Sequence, residues 1–175
     1  MSTRATWLLP LLLAGAIGAS TGCSVDRKLK KFDDQEFQHY YVLKVYMDDA
    51  QKKSYFKLKT RQERDDYLKK AGLWERYYDF EPHVREEIYN GRVQVGWTKD
   101  MVLMAWGRPI DRGRVAGRQA QRSERYIYRF EEAQDGSILV WEPGSKTQYH
   151  AARLFKREVI FDNDVVAVIK DKEGF

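Results

Sequence analysis

Residues 93–109, which read VQVGWTKDMVLMAWGRP, constrain the fold more tightly than any other stretch of the chain. Gly96 permits a sharp turn, Thr98 is placed to cap a helix through its hydroxyl, and Asp100 puts negative charge in the first turn, where the helix dipole favours it. Val102, Leu103 and Trp106 fall at the i, i+1, i+4 spacing of a core-facing stripe. Gly107 supplies a left-handed residue at the end, and Pro109 forbids continuation. The spacing predicts a short amphipathic helix, capped at both ends, that must lie on another apolar surface.

Such a surface follows in sequence. Tyr126-Ile127-Tyr128-Arg129-Phe130 alternates with period two, Gln134-Asp135-Gly136 is a hairpin turn, and Ile138 to Trp141 returns from it. Glu142-Pro143-Gly144-Ser145 makes the next turn, residues 149–161 contain a third strand, and Asp162-Asn163-Asp164 leads into Val165 to Ile169. Asp162-x-Asp164 lacks the remaining ligands of a calcium loop and reads as turn chemistry.

Upstream, residues 32–90 read mainly helical. Phe37, Tyr40, Tyr41, Leu43, Val45 and Tyr46 recur at mixed three- and four-residue spacing, which suggests a buried helix, while their β-branched and aromatic content leaves a strand open. Thr60-Arg61-Gln62-Glu63 is a capping box, with Tyr67 and Leu68 facing the core and Gly72 stopping the helix. Leu73 to Tyr78 forms a second segment, Glu81-Pro82 opens a third, and Asn90-Gly91 ends it. The expected class is α+β, with N-terminal helices packed on one face of a three- to four-stranded antiparallel β-meander.

Composition narrows the chemistry. A chain of 175 residues with 43% hydrophobic and 14% aromatic side chains carries enough apolar surface for one core, with or without an appendage. One Cys excludes an internal disulfide framework and a Cys-rich zinc site. His39, His83 and His150 form no HExxH pair, and no glycine-rich phosphate loop is present. The runs Arg61-Gln62-Glu63-Arg64-Asp65-Asp66 and Arg85-Glu86-Glu87 read as solvated helix faces. Adjacent carboxylates on a helix point roughly 100° apart, so neither Asp65/Asp66 nor Glu86/Glu87 converges on one substrate atom. No catalytic residue, metal ligand or cofactor is expected.

The N-terminus reads as an address. Arg4 gives a positive start, Trp7 to Ile17 is apolar apart from Pro10, and the small residues Gly18 to Gly22 lead into Cys23. Ser20-Thr21-Gly22-Cys23 looks like the lipobox of a bacterial lipoprotein, with Ser20 where Leu is usual; plain signal-peptidase cleavage near Ala19-Ser20-Thr21 is the alternative. Acylation of Cys23, palmitate included, would hold the protein at a membrane, at about 0.8 kcal/mol for each buried CH₂. The expected organisation is a signal peptide over 1–22, a lipid-anchored basic tether over 23–31, a helical region over 32–92 and an α+β region over 93–175. Arg27, Lys28, Lys30 and Lys31 of the tether suit either anionic headgroups or plain solvation. Export also reinterprets the net charge of +5, because an exported domain seldom meets nucleic acid and more often meets anionic lipid or an acidic protein.

On Gly96, Trp97, Thr98, Val102, Trp106, Gly107 and Pro109, then Tyr126-Ile127-Tyr128 and a closing strand pair around residues 159–166, the chain resembles the SmpA/OmlA (BamE-like) outer-membrane lipoproteins, accessory subunits of the β-barrel assembly machinery. The resemblance spans about Pro82 to Lys170; members of that family are typically shorter, and most carry Met where Trp97 stands. Gly96-Trp97-Thr98-Lys99-Asp100 is also similar, less closely, to the bacterial domain named for its GWxTD motif. The first resemblance implies an outer-membrane lipoprotein facing the periplasm, a non-catalytic accessory or scaffold whose partners are envelope proteins such as barrel-assembly subunits. The alternative is a periplasmic binding or inhibitor module gripping a soluble enzyme or envelope polymer.

Between Pro109 and Arg125 the chain reads as a long loop rich in arginine. Arg108, Arg112, Arg114, Arg118 and Arg122, with Trp97, are the candidate contact residues, because a guanidinium grips phosphate or carboxylate bidentately. A flexible solvated loop is the bland alternative. No aromatic interleaves the arginines, as binding to single-stranded nucleic acid would need.

Overall fold

A computed structural model describes residues 28–141 and 151–173. The signal segment, the Cys23 lipidation site, most of the tether and the turn expected at Glu142 to Ser145 lie outside the described residues. The fold is α+β: among the described residues, six helices are followed by an antiparallel sheet of five strands. The helices are α1 (Asp34–Leu43), α2 (Asp49–Tyr55), α3 (Arg61–Lys70), α4 (Leu73–Tyr78), α5 (Pro82–Tyr89) and α6 (Lys99–Trp106), with a 3-10 turn (Lys44–Tyr46) between the first two. None of the described helices is long and apolar enough to cross a membrane.

Local chemistry sets these boundaries. Capping boxes start α1 (Asp33 with Glu36), α2 (Asp48 with Gln51) and α3 (Thr60 with Glu63), each satisfying two N–H groups that the helix cannot. Gly72, at φ 66°, turns the chain between α3 and α4 in a conformation that costs other residues strain. Pro82 occupies the first turn of α5, where its missing N–H is no loss. The aromatic-rich run 37–46 is helical, not extended, with Tyr40, Val42 and Leu43 buried.

The strands are β1 (Asp111–Arg114), β2 (Ser123–Ala133), β3 (Ile138–Trp141), β4 (Ala151–Asp162) and β5 (Val165–Glu173). Their arrangement departs from a meander. β4 pairs with β2 along almost its whole length, and β3 folds back onto the opposite edge of β2. β1 shares that edge: Asp111 is opposite Ile127 and Trp141 is opposite Arg129, so β3 and β1 lie end to end. β1 also breaks up the expected arginine loop. It pairs through its main chain, which the alternation of apolar side chains cannot reveal, and the cross-strand ion pair Arg125–Asp111 at 2.9 Å reinforces it.

The core lies between the helices and one sheet face. Tyr126, Tyr128 and Phe130 of β2 alternate inward and are joined by Phe155, Val159 and Phe161 of β4. Trp106 of α6 meets Tyr128 and Phe130 edge-on at 5.2 and 5.0 Å, the geometry that aromatic quadrupoles favour. One charged pair is buried with the apolar groups. Arg64 of α3, which the sequence places on a solvated face, is 7% exposed and donates to Glu36 of α1.

Candidate functional site

The Gly96–Pro109 motif has the expected local structure and a different role. Thr98 Oγ1 accepts the Met101 N–H, Asp100 sits in the first turn of α6, and Gly107 N–H closes on Leu103 O at 2.9 Å. Gly107 has φ 73° and ψ −152°, outside the left-handed helical region and in a region essentially reserved for glycine. Val102 and Trp106 are buried and Leu103 is half-buried, while Met101, Met104 and Ala105 are also buried. The helix therefore buries more of its circumference than a single stripe.

The motif is stitched to the β4–β5 hairpin. Gly96 N–H donates to Val166 O (2.8 Å), Val166 N–H to Trp97 O (2.7 Å) and Lys99 N–H to Asp164 O (2.8 Å). The hairpin turn has Asn163 at φ 49° and Asp164 at φ 67°, both positive as in a type I′ turn and both residue types that tolerate it. Lys99 Nζ donates to Asp164 and, at 2.7 Å, to Glu124; burial works against its charge, but these two hydrogen bonds outweigh it and raise its pKa. Trp97, expected at a contact surface, is 6% exposed and belongs to the core. A bulky apolar residue after Gly96 is driven inward because the turn tucks it beneath the hairpin, where about 25 cal/mol per Å² of apolar burial favours it.

The arginines divide into two groups. Arg118 binds Asp162 through two nitrogens, Nε at 2.8 Å and Nη2 at 2.5 Å, and holds its carboxyl down to about 2, helped by the Ser123 hydroxyl. Arg122 pairs with Asp164 and with Glu124 (3.2 Å), and Asp164 titrates below its usual range because Lys99 and Arg122 both donate to it. These two are not available as contacts; they staple the 115–122 segment onto the β4–β5 turn. Arg108 donates to Val45 O at 3.3 Å, which leaves its charge unneutralised. Arg112 and Arg114 are exposed on β1, and among the described residues neither has a carboxylate partner.

Arg108 and Arg112 flank a cleft of about 550 Å³ between the 3-10 turn, α6 and β1, walled by Val45, Tyr46, Leu103, Pro109, Ile110 and Tyr126, with Asp111, which pairs with Arg125, also at its lining. Tyr46 anchors one wall by donating from its hydroxyl to Asp100 O at 3.2 Å, and burial raises its pKa. A larger cleft of about 850 Å³ lies between α1, α5 and β3, lined by aromatic residues including Tyr41, Tyr89 and Trp141 and by four cations. Two of the four are paired with carboxylates, Arg92 with Glu87 (3.3 Å) and Arg157 with Asp171 (2.8 Å), Lys44 sits 4.5 Å from the centre of the Tyr41 ring, and Lys52 is the fourth. The smaller cleft sets two guanidinium groups without a carboxylate partner among the described residues, Arg108 and Arg112, against apolar surface, and bidentate guanidinium groups make it the better candidate for docking carboxylates or phosphates.

Sequence reading missed one connected polar set. His39 Nε2 lies 2.6 Å from Tyr78 Oη and its Nδ1 lies 3.3 Å from Asp65 Oδ1, an order that resembles a catalytic relay. His39 is only 1% exposed, packed against Trp74 and Tyr77, so no substrate atom can reach its ring. The set is a buried polar link between α1, α3 and α4. Its members are 26 and 13 residues apart in sequence, and only the helix packing brings them together. Among the described residues no cluster of His, Cys, Asp and Glu is arranged to hold a metal.

Compared with known proteins, the chain matches no family model, no curated protein and no solved structure.

Proposed function

We propose that this chain is a bacterial outer-membrane lipoprotein, anchored through Cys23 and facing the periplasm, that serves as a non-catalytic accessory in envelope or β-barrel assembly. The reading rests on the export segment ending in Cys23 and on the resemblance carried by Gly96 to Pro109. The observation that carries the docking part is the division of the arginines. Arg118 and Arg122 are neutralised within the fold, while Arg108 and Arg112 remain beside a cleft with apolar walls and Arg114 lies exposed two residues further along β1. Unpaired guanidinium groups beside apolar walls suit the carboxylates of an acidic envelope protein or the phosphates of anionic lipid.

The test is recovery of partners from detergent-solubilised, fractionated envelope with tagged wild type, Cys23→Ala and the double variant R112E/R114E. Barrel-assembly subunits recovered from the outer-membrane fraction, lost with Cys23→Ala and depleted with R112E/R114E, would support the reading. A soluble periplasmic partner recovered equally well by all three proteins would refute it and favour a periplasmic binding module.

A further inference from the structure

We propose that β1 is a strand-addition site, at which an extended acidic segment of a partner protein pairs with the outer edge of the sheet. The inference rests on the reading above that the unpaired arginines mark the docking surface, and it specifies how that surface is used.

The main chain of β1 supplies the first part of the argument. In an antiparallel ladder, successive residues alternate between exchanging hydrogen bonds with the neighbouring strand and pointing their N–H and C=O groups away from it. Val115 N–H donates to Ser123 O at 3.0 Å, and Gly113 and Asp111 lie opposite Arg125 and Ile127, two and four residues along. The alternation then turns the N–H and C=O groups of Arg112 and Arg114 outward. Among the described residues no strand pairs with that side of β1. An open edge of this kind is a template for another chain.

Side chains supply the second part. Arg112 is opposite Tyr126 and Arg114 is opposite Glu124, so both project from the sheet face that the helices cover. The cleft walled by Val45, Leu103 and Ile110 opens on that same side. A strand laid along β1 would point alternate side chains toward this face, two beside Arg112 and Arg114 and one toward the cleft. Carboxylates suit the first two positions and an apolar residue the third. Charged edge residues ordinarily block strand pairing, and arginines do so selectively: they repel cationic strands and attract acidic ones. Pairing of Arg118, Arg122 and Arg125 with Asp162, Asp164 and Asp111 concentrates the remaining charge at this edge.

The experiment uses the full chain in detergent and three fluorescein-labelled hexapeptides. One alternates Glu and Val, a second replaces each Glu by Lys, and a third is the acidic peptide N-methylated at alternate residues, so that one edge can no longer donate hydrogen bonds. Affinities are read by anisotropy, and hydrogen exchange reads the amides of residues 112 and 114. The expected result is binding of the acidic peptide with protection of those two amides. At least tenfold weaker binding is expected for the Lys peptide, for the N-methylated peptide and for R112E/R114E. The milder pair Arg112→Gln and Arg114→Gln should show the same order of effects, and circular dichroism checks that all variants fold. Equal binding of the acidic and N-methylated peptides, or vesicles of phosphatidylglycerol binding in place of the peptides with both amides unprotected, would overturn strand addition. If R112E/R114E still loses its envelope partner in that case, the docking surface stands and only its mode falls; if the partner is retained as well, both fall.

Discussion

Arg64 offers the sharpest test of how the helical layer is held. Its Nε donates to Glu36 Oε1 at 2.9 Å, Nη2 reaches the same oxygen, and Nη1 donates to Leu58 O at 2.8 Å. Its guanidinium carbon lies 4.6 Å from the centre of the Phe32 ring. The other carboxylate oxygen of Glu36 accepts Asp33 N–H at 3.0 Å and completes the α1 capping box. Glu36→Gln keeps the shape and the cap but leaves a buried cation without its counter-charge, which costs about 3–5 kcal/mol. Glu36→Ala also loses the return half of the cap, for roughly 1 kcal/mol more. Replacing both partners together, Glu36→Gln with Arg64→Met, removes the buried charge and should recover about 2 kcal/mol or more of the sum of the single losses. Urea unfolding followed by circular dichroism measures this directly. At a slope of about 2 kcal/mol per M, Glu36→Gln should lower the midpoint by about 1.5–2.5 M. Single variants that each cost less than about 1 kcal/mol, with no recovery in the double, would mean that water screens the pair and that the buried-charge reasoning is wrong.

Two further predictions concern stability. Burial lowers the pKa of His39 from the usual 6.5, and its attraction to Asp65 only partly opposes this; Arg61 also disfavours the proton and Asp33 favours it. The folded state therefore takes up its proton at lower pH than the unfolded one, so stability is complete above about pH 6.5 and declines as pH falls from there toward the folded value; thermal midpoints from pH 8 to 5 should show the decline, and a profile equally steep in His39→Gln would refute the assignment. Gly107→Ala forces a side chain into a glycine-only conformation at φ 73° and should cost about 1–3 kcal/mol in urea unfolding, whereas Gly113→Ala, whose Cβ would lie an ordinary 3.7 Å from Arg125 Nη2, should change stability by less than about 0.5 kcal/mol.

Local features were legible in the sequence and pairwise ones were not. The capping box at Thr60, the turn at Gly72, the start at Pro82 and the capped α6 each depend on residues within four positions of one another, so their chemistry shows in one dimension. Strand order does not. Alternation in β2 and an Asp-Gly turn predict a hairpin, but nothing in residues 138–141 says that β3 takes the edge of β2 opposite β4. β1 carries no apolar alternation at all, so its Asp-Arg-Gly-Arg sequence reads as loop until β2 is beside it. The buried polar groups were hidden for the same reason: Arg64 and His39 sit in runs of charge or aromatic residues, and their partners lie 28 and 26 or more residues away.

The arginine-rich segment shows why a charge count alone misplaces a binding surface. Arg118 and Arg112 are six residues apart in one basic run, and they do different things. Arg118 fixes Asp162, which also accepts the Ser123 hydroxyl at 2.6 Å and opens the turn that positions Asp164 against Lys99. Removing Arg118 should therefore lower the thermal midpoint at pH 7. With the Asp162 pKa depressed from 3.8 to about 2, chiefly by Arg118, the stabilisation is complete above pH 3.8 and is lost as the pH falls through 2. The difference between wild type and Arg118→Gln should shrink across that window. Arg112, with no carboxylate to release among the described residues, should leave the midpoint and its pH profile unchanged when replaced by Gln, and should weaken docking instead. A fall in midpoint for Arg112→Gln that matched Arg118→Gln would show that both arginines are structural, and the docking surface would then have to lie elsewhere.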